Sequence, residues 1–226
     1  LLPPLLGDTS NIIQLHSLTK TYAVPGLRLG GAFYYCDNAG KNADKLITYK
    51  AYGQIPVRIW SFDGQYVGKY LTARANIITG NLAHANDISA ANRLYSSKSP
   101  YDRTPLVAKC ALTYSAELGI NLKSFFPNVE HFPVIYPFAH YTYYNTQEKG
   151  ETGTLQIGSN TYTLDDRCQV SKWTVGLNWK PLPNLVVKAD YNTRQIGTRK
   201  IFGTGKYNSE NEWAVGVAYI GWFFKK

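Results

Sequence analysis

The chain changes character near Gly31: after it apolar and polar residues alternate with a period close to two, the repeat of an extended strand whose two faces meet different surroundings. Between Lys172 and Lys180, Trp173, Val175, Leu177 and Trp179 fall on one face and Lys172, Thr174, Gly176 and Asn178 on the other. After a tight Pro181-Leu182-Pro183 connection, Leu185, Val187, Ala189 and Tyr191 alternate with Lys188, Asp190, Asn192 and Arg194, so the two stretches predict a hairpin. Leu112, Tyr114, Ala116, Leu118 and Ile120 alternate with polar residues in the same way. So do Leu71, Ala73, Ala75 and Ile77 against Thr72, Arg74 and Asn76, with a two-residue turn expected at Asp63-Gly64.

Alternation alone also describes a soluble β-sandwich, in which the apolar face meets a second sheet. Three features shift the expectation. The strands are long, about 9 to 14 residues, where ordinary sheets use about 5 to 6 and a tilted membrane-crossing strand needs about 9 to 11. Trp and Tyr recur near strand ends, as Trp173 with Trp179 and Tyr219 with Trp222. The opposite face carries Lys, Arg, Asp and Asn deep inside strands, which suits a wet lumen. The fold expected is therefore all-β, an antiparallel transmembrane β-barrel or its C-terminal part over 32–226, preceded by a short non-barrel segment over 1–31.

Composition agrees with a strand-rich chain: 14% of the 226 residues are aromatic, 18 of them Tyr, and only 17% are charged. No run approaches the roughly 20 apolar residues of a membrane-crossing helix. The apolar start Leu1-Leu2-Pro3-Pro4-Leu5-Leu6 lacks the basic opening and cleavage site of a signal peptide. A net charge of +9 raises nucleic acid as a partner, but the Lys and Arg are single and spaced along strands rather than clustered, so none is expected. Cys36, Cys110 and Cys168 make an odd count without CxxC spacing, and His16, His84, His131 and His140 lack metal-ligand spacing. Gly203-Thr204-Gly205-Lys206 lacks the leading frame of a phosphate loop. No metal, cofactor or catalytic residue is expected.

Two resemblances cover different parts of the chain. The run Ser17-Leu18-Thr19-Lys20-Thr21-Tyr22-Ala23-Val24-Pro25-Gly26-Leu27-Arg28-Leu29-Gly30-Gly31 resembles the cofactor-lysine segment of pyridoxal-phosphate enzymes of the class I aminotransferase fold, nearest the threonine-phosphate decarboxylase and histidinol-phosphate aminotransferase branch. By that resemblance Lys20 matches the Schiff-base lysine, and Ser17 and Arg28 match the groups that hold the cofactor phosphate. Only 19 residues precede Lys20, too few to carry the upstream Asp and stacking aromatic of such sites. The segment is read as a remnant, a fusion or composite sequence without activity.

From about Ile55 to Phe224 the chain resembles outer-membrane porins of Bacteroidetes related to the phosphate-selective group. The likeness lies in Pro56-Val57-Arg58-Ile59-Trp60-Ser61-Phe62-Asp63-Gly64, Gly68-Lys69-Tyr70-Leu71-Thr72-Ala73-Arg74-Ala75-Asn76, Tyr136-Pro137-Phe138, Trp173-Thr174-Val175-Gly176-Leu177-Asn178 and Tyr207-Asn208-Ser209-Glu210-Asn211-Glu212-Trp213. Val217 to Phe223 resembles the aromatic final strand of such barrels, although Phe224-Lys225-Lys226 follow it.

The resemblance implies an outer-membrane location, lipid around the wall and passive diffusion of small solutes. Arg74, Lys109, Lys172, Lys188 and Arg194 share the parity of the polar face, with Glu117 and Asp190 offsetting them. These seven are the expected pore lining, biased toward anionic solutes. About eight to ten strands are countable, and roughly eight leave an interior just filled by side chains. An open channel would then need a second copy of the chain or strands beyond those counted. The competing readings are an inactive pyridoxal-phosphate enzyme fragment and a soluble β-sandwich binding module.

Overall fold

In the computed structural model, which describes residues 12–13, 26–36, 55–94, 106–197 and 208–219, the alternating stretches pair edge to edge into one antiparallel sheet. Its strands are β1 (Ile12–Ile13), β2 (Leu27–Cys36), β3 (Val57–Val67), β4 (Leu71–Leu82), β5 (Cys110–Ile120), β6 (Val134–Lys149), β9 (Gln169–Leu182), β10 (Leu185–Ile196) and β11 (Ser209–Tyr219). Each pairs with its neighbours in chain order, so the sheet is a continuous meander interrupted only by a small separate hairpin, β7 (Leu155–Ile157) and β8 (Asn160–Tyr162). Among the described residues β1 and β11 lie at the two edges and are not paired with each other.

The eight strands from β2 to β11 are 10 to 16 residues long, in keeping with the length of the alternating stretches. The expected hairpin forms around Pro183-Asn184, with Val187 opposite Trp179 and Asn192 opposite Thr174. Two expectations are corrected. Asp63-Gly64 is not a turn but lies inside β3, where Asp63 pairs with Gly30 and Asn76; the chain reverses at Gly68-Lys69-Tyr70. The alternation runs unbroken through Asp63-Gly64, and keeping register on both sides outweighs a local turn preference. The change of sequence character at Gly31 is not a structural boundary either, because β2 passes straight through it and Leu27 already pairs with Tyr66.

Connections differ in length at the two ends of the sheet. Those joining β2 to β3, β4 to β5, β6 to β9 and β10 to β11 take 12 to 27 residues, whereas β3 to β4 and β9 to β10 take three and two. The β5 to β6 connection takes 13 and contains a 3-10 turn at Leu122–Phe125. At the long-connection end the helix α1 (Ala85–Leu94) is tied down by polar contacts. Ser89 Oγ donates to the Ala85 carbonyl and accepts from the Val107 amide, and the Asn86 amide donates to Glu151. Nearby Asp165 is buried and accepts from the amide and Nε of Arg167 at 3.0 and 2.8 Å. That grip holds the guanidinium above its ordinary pKa.

Hydrophobic burial does not hold this sheet together. Among the described residues only Ile55, Ala85, Leu106 and Val170 are buried apolar side chains, and three of these lie in connections rather than strands. No second layer covers the sheet among the described residues. The packing that exists is within the wall. At Gly176 an added Cβ would sit 2.7 Å from the Phe138 ring and from Asp190 Cβ, so a side chain there would displace the ring lying across the strand.

Candidate functional site

In an antiparallel ladder, directly paired residues point to the same face, so the register sorts every regularly paired side chain onto one face or the other. One face carries Leu29, Phe62, Ile77, Leu118, Val175, Leu177, Trp213, Val215 and Val217, all exposed. The other carries most of the charged residues, and its centre is the less accessible of the two; Arg58, Asn81, Ser171, Thr193 and Asn211 fall on the apolar face toward the long connections. Thr174, Asp190 and Asn192 are 9%, 8% and 7% exposed, whereas Val175, next to Thr174 on β9 but on the opposite face, is 49% exposed and Val215 78%. Polar-inside, apolar-outside burial is the reverse of a water-soluble domain.

Register then arranges the polar face into rows across the strands. Gln65, Arg74, Glu117, His140, Thr174, Asn192 and Glu212 form one row. Asp63, Asn76, Ser115, Thr142, Lys172, Arg194 and Glu210 form the next. Toward the long connections the same face turns apolar, with Ile78, Tyr144, Val170 and Ile196. The polar belt is therefore a central band rather than the whole face.

Within the band the side chains brace one another. Thr174 donates to Asn192 Oδ1 at 2.6 Å, Asn192 Nδ2 donates to Asp190 Oδ1 at 2.8 Å, and Lys188 Nζ lies 3.2 Å from Asp190 Oδ2. Lys188 also sits over the Phe138 ring, 5.1 Å from its centre. One strand further, Arg194 Nη1 pairs with Glu210 at 3.1 Å. His140 Nε2 and Thr142 Oγ1 are 3.1 Å apart. Asn192 is the joint of the buried cluster. Its replacement by Ala should remove two hydrogen bonds and lower folding stability by about 1–3 kcal/mol. A drop in urea midpoint with unchanged slope is the expected reading.

Six strands, β3 to β6, β9 and β10, contribute to a single cavity of about 550 Å³ on this face, lined by Gln65, Arg74, Glu117, Tyr136, Asn178, Lys180 and Lys188 among others. A sheet curled with its polar face concave accounts both for this shared space and for the burial of Thr174, Asp190 and Asn192. The regularly paired residues of this face carry six cations, Arg28, Arg74, Lys172, Lys180, Lys188 and Arg194, against five carboxylates, Asp63, Glu117, Asp190, Glu210 and Glu212. The face is nearly balanced, although the chain as a whole is +9. Among the described residues no carboxylate comes within 4.0 Å of Arg74, Lys172 or Lys180.

Of the seven expected lining residues, Arg74, Glu117, Lys172, Lys188, Asp190 and Arg194 share this face. Lys109 precedes β5 at the long-connection end, outside the central band, and its carbonyl accepts from the Leu82 amide at 2.8 Å. Arg28, named through the cofactor-enzyme resemblance, stands on β2 opposite Gln65; Ser17 and Lys20 lie outside the described residues. Sequence reading passed over Lys180, Tyr136 and Asn178. Lys180 closed a predicted strand, and only the curl of the sheet brings these residues beside Arg74.

The apolar face holds two aromatic belts. Phe33 stacks on Trp60, Tyr114 on Tyr143, Tyr141 on Trp173 and Tyr191 on Trp213, at 4.2 to 5.0 Å between ring centres. Tyr66, Trp179 and Tyr219 mark the second belt, each six positions beyond an aromatic of the first on its own strand. Both belts slope. The ladder row of Tyr66 reaches β11 at Trp213, six residues short of Tyr219, and the row of Trp60 reaches β9 at Gln169, four residues short of Trp173. Six residues are about 20 Å along a strand and the six strand spacings from β3 to β11 about 29 Å across the sheet, so the belts run at about 35° to the ladder rows. Neither alternation nor composition contains that angle.

No protein-family model matches this chain, and no curated protein sequence matches it.

Proposed function

We propose that the chain forms the wall of an outer-membrane β-barrel through which small solutes diffuse passively, with a mild preference for anions. The observation that carries the reading is the inverted burial: eight long strands turn an exposed apolar face one way, while on the other face polar Thr174, Asp190 and Asn192 are buried. A lipid surround and a wet lumen are the pair of environments in which that arrangement costs least.

The sloping belts support it. Strands that lean about 35° from the perpendicular of a horizontal belt match the lower end of the roughly 35–45° tilt of membrane barrels, whose apolar band lies between aromatic girdles. Tight turns of three and two residues at one end, beside the 13-residue β5 to β6 connection, and connections of 12 to 27 residues at the other fit periplasmic turns and outer loops. A sandwich needs a second sheet on the apolar face, and none stands there among the described residues.

Unpaired strand edges do not persist in hydrocarbon, so β2, which β1 pairs only at Phe33 and Tyr34, and β11 must each find a further partner. Eight strands from β2 to β11 place these two edges antiparallel, and β11 presents Glu210 and Glu212 on the polar side while β2 presents Arg28. Closure within one chain would leave little open space, since roughly eight strands give an interior filled by side chains. A conducting pore therefore calls for more wall, from a second copy or further strands. The test is direct: membranes should release the protein only to detergent, the unheated protein should migrate differently from the heated one in gels, and planar bilayers should conduct. A protein soluble without detergent and indifferent to heating removes the reading.

A further inference from the structure

At the short-connection end, the β5 to β6 segment displays apolar side chains that no strand pattern requires. Phe125, Phe126 and Val129 are 55%, 47% and 50% exposed, and Tyr70 in the facing β3 to β4 turn is 45% exposed. Tyr70 and Phe125 rings are 5.0 Å apart, and Phe126 stacks on Phe132 at 4.6 Å.

The platform is held by its backbone. The Asn121 amide donates to the Tyr70 carbonyl at 2.8 Å, and Ser124 Oγ donates to the Lys69 carbonyl at 2.7 Å. Successive turns follow through Phe126 to Lys123, Val129 to Phe126 and Phe132 to Val129. Exposed rings fixed in this way have already lost the freedom that docking would cost them. Lys69, with its ammonium 5.3 Å from the Tyr70 ring centre, and Lys123 flank the rings, opposed by Glu130 alone within these two connections. The platform continues directly from Leu71 and Ile120, the last residues of the apolar face at this end.

We infer that this platform is an in-plane anchor for a phospholipid surface: the rings and Val129 seat at the boundary between headgroups and acyl chains, and Lys69 and Lys123 reach lipid phosphates. Aromatic side chains prefer that boundary, and long lysines extend from it toward the headgroups. The inference rests on the membrane-wall reading for its position, and adds an attachment that the strands alone do not provide.

The test uses the full chain with Cys36, Cys110 and Cys168 changed to Ser, folded into phosphatidylcholine vesicles containing phosphatidylglycerol, and a polarity-sensitive label on Val129→Cys. Spin labels placed shallow in the bilayer should quench it by about twofold or more, and aqueous iodide should have little effect. Adding Phe125→Ser and Phe126→Ser should reverse that pattern; Lys69→Gln with Lys123→Gln should weaken the shallow quenching. The same label on Val175→Cys reports the wall reading separately, through quenching by deep spin labels. A Val129 label open to iodide while the Val175 label is quenched from the bilayer overturns the anchor and leaves the wall standing. A Val129 label shielded from both quenchers also overturns it, in favour of packing into the lumen or against another copy. Should the cysteine-free chain fail to fold, hydroxyl-radical footprinting of the unaltered chain in vesicles decides: Phe125 and Phe126 should oxidise about tenfold more slowly than in urea, and oxidation within about twofold of the unfolded rate, as half-exposed rings in water would show, overturns the anchor.

Discussion

Arginine at Val175 should lower the stability of the chain folded in a bilayer by about 2–4 kcal/mol, the depth-dependent cost of a cation on the lipid side of a barrel wall. Val175 is half-exposed on the apolar face, between the two aromatic belts, with Ala139 and Tyr191 as its ladder partners. Val187, opposite Trp179 and Val217, should respond in the same direction. In water the same exposed position would accept Arg within about 0.5 kcal/mol, as surface sites do. The measurement is a urea titration of folding in vesicles, read by gel mobility.

Choice of control matters. Alternation alone makes Thr174, on the wet face, the position where Arg should be tolerated. In the folded sheet Thr174 is buried and bonded to Asn192, so Arg there would break the brace instead of meeting solvent. Ser115, whose hydroxyl lies at an exposed contact with Asn76, is the better control on that face. Equal losses at Val175 and Ser115 would contradict the assignment of faces.

Replacing Arg74, Lys172 and Lys180 together by Gln should turn the channel toward cations. The regularly paired polar face would pass from one excess positive charge to two excess negative ones. The shift in reversal potential should be largest near 0.01 M salt, where the Debye length is about 30 Å, and should shrink toward 1 M, where it is about 3 Å. Gln at Lys188 removes the same formal charge but at a different cost. Asp190 is buried and Lys188 is its cation, so the variant leaves a buried carboxylate without its partner and should lose stability as well. Arg194 likewise answers Glu210. A channel that conducts with an unchanged reversal potential after the triple replacement would show that these three side chains stand outside the ion path.

Much of this protein was legible in its residues because a strand's period of two is a local property. Trp173 to Trp179 against Lys172 to Asn178 states two faces before any partner is known, and the hairpin at Pro183-Asn184 follows from two such stretches separated by a break. Six of the seven expected lining residues fell on one face for the same reason. Local signals failed where pairing overruled them. Asp63-Gly64 reads as a turn in isolation but is held straight by Gly30 and Asn76 on its two sides, and Gly31 reads as the end of a foreign segment but lies within β2.

What only the tertiary structure decided depends on how strands are offset from one another. Charge pairing is one case: Lys188 with Asp190 and Arg194 with Glu210 are braced, whereas Arg74, Lys172 and Lys180 have no carboxylate within 4.0 Å among the described residues, although all five cations carry the same sequence signature. The cavity joining Arg74 to Lys180 and Lys188 is another, since it requires the sheet to curl across six strands. The slope of the aromatic belts is the third. Alternation determines which way a side chain faces, because that is set by its own backbone; its height along the sheet and its neighbours on the polar face are set by register and curvature, which belong to the sheet as a whole.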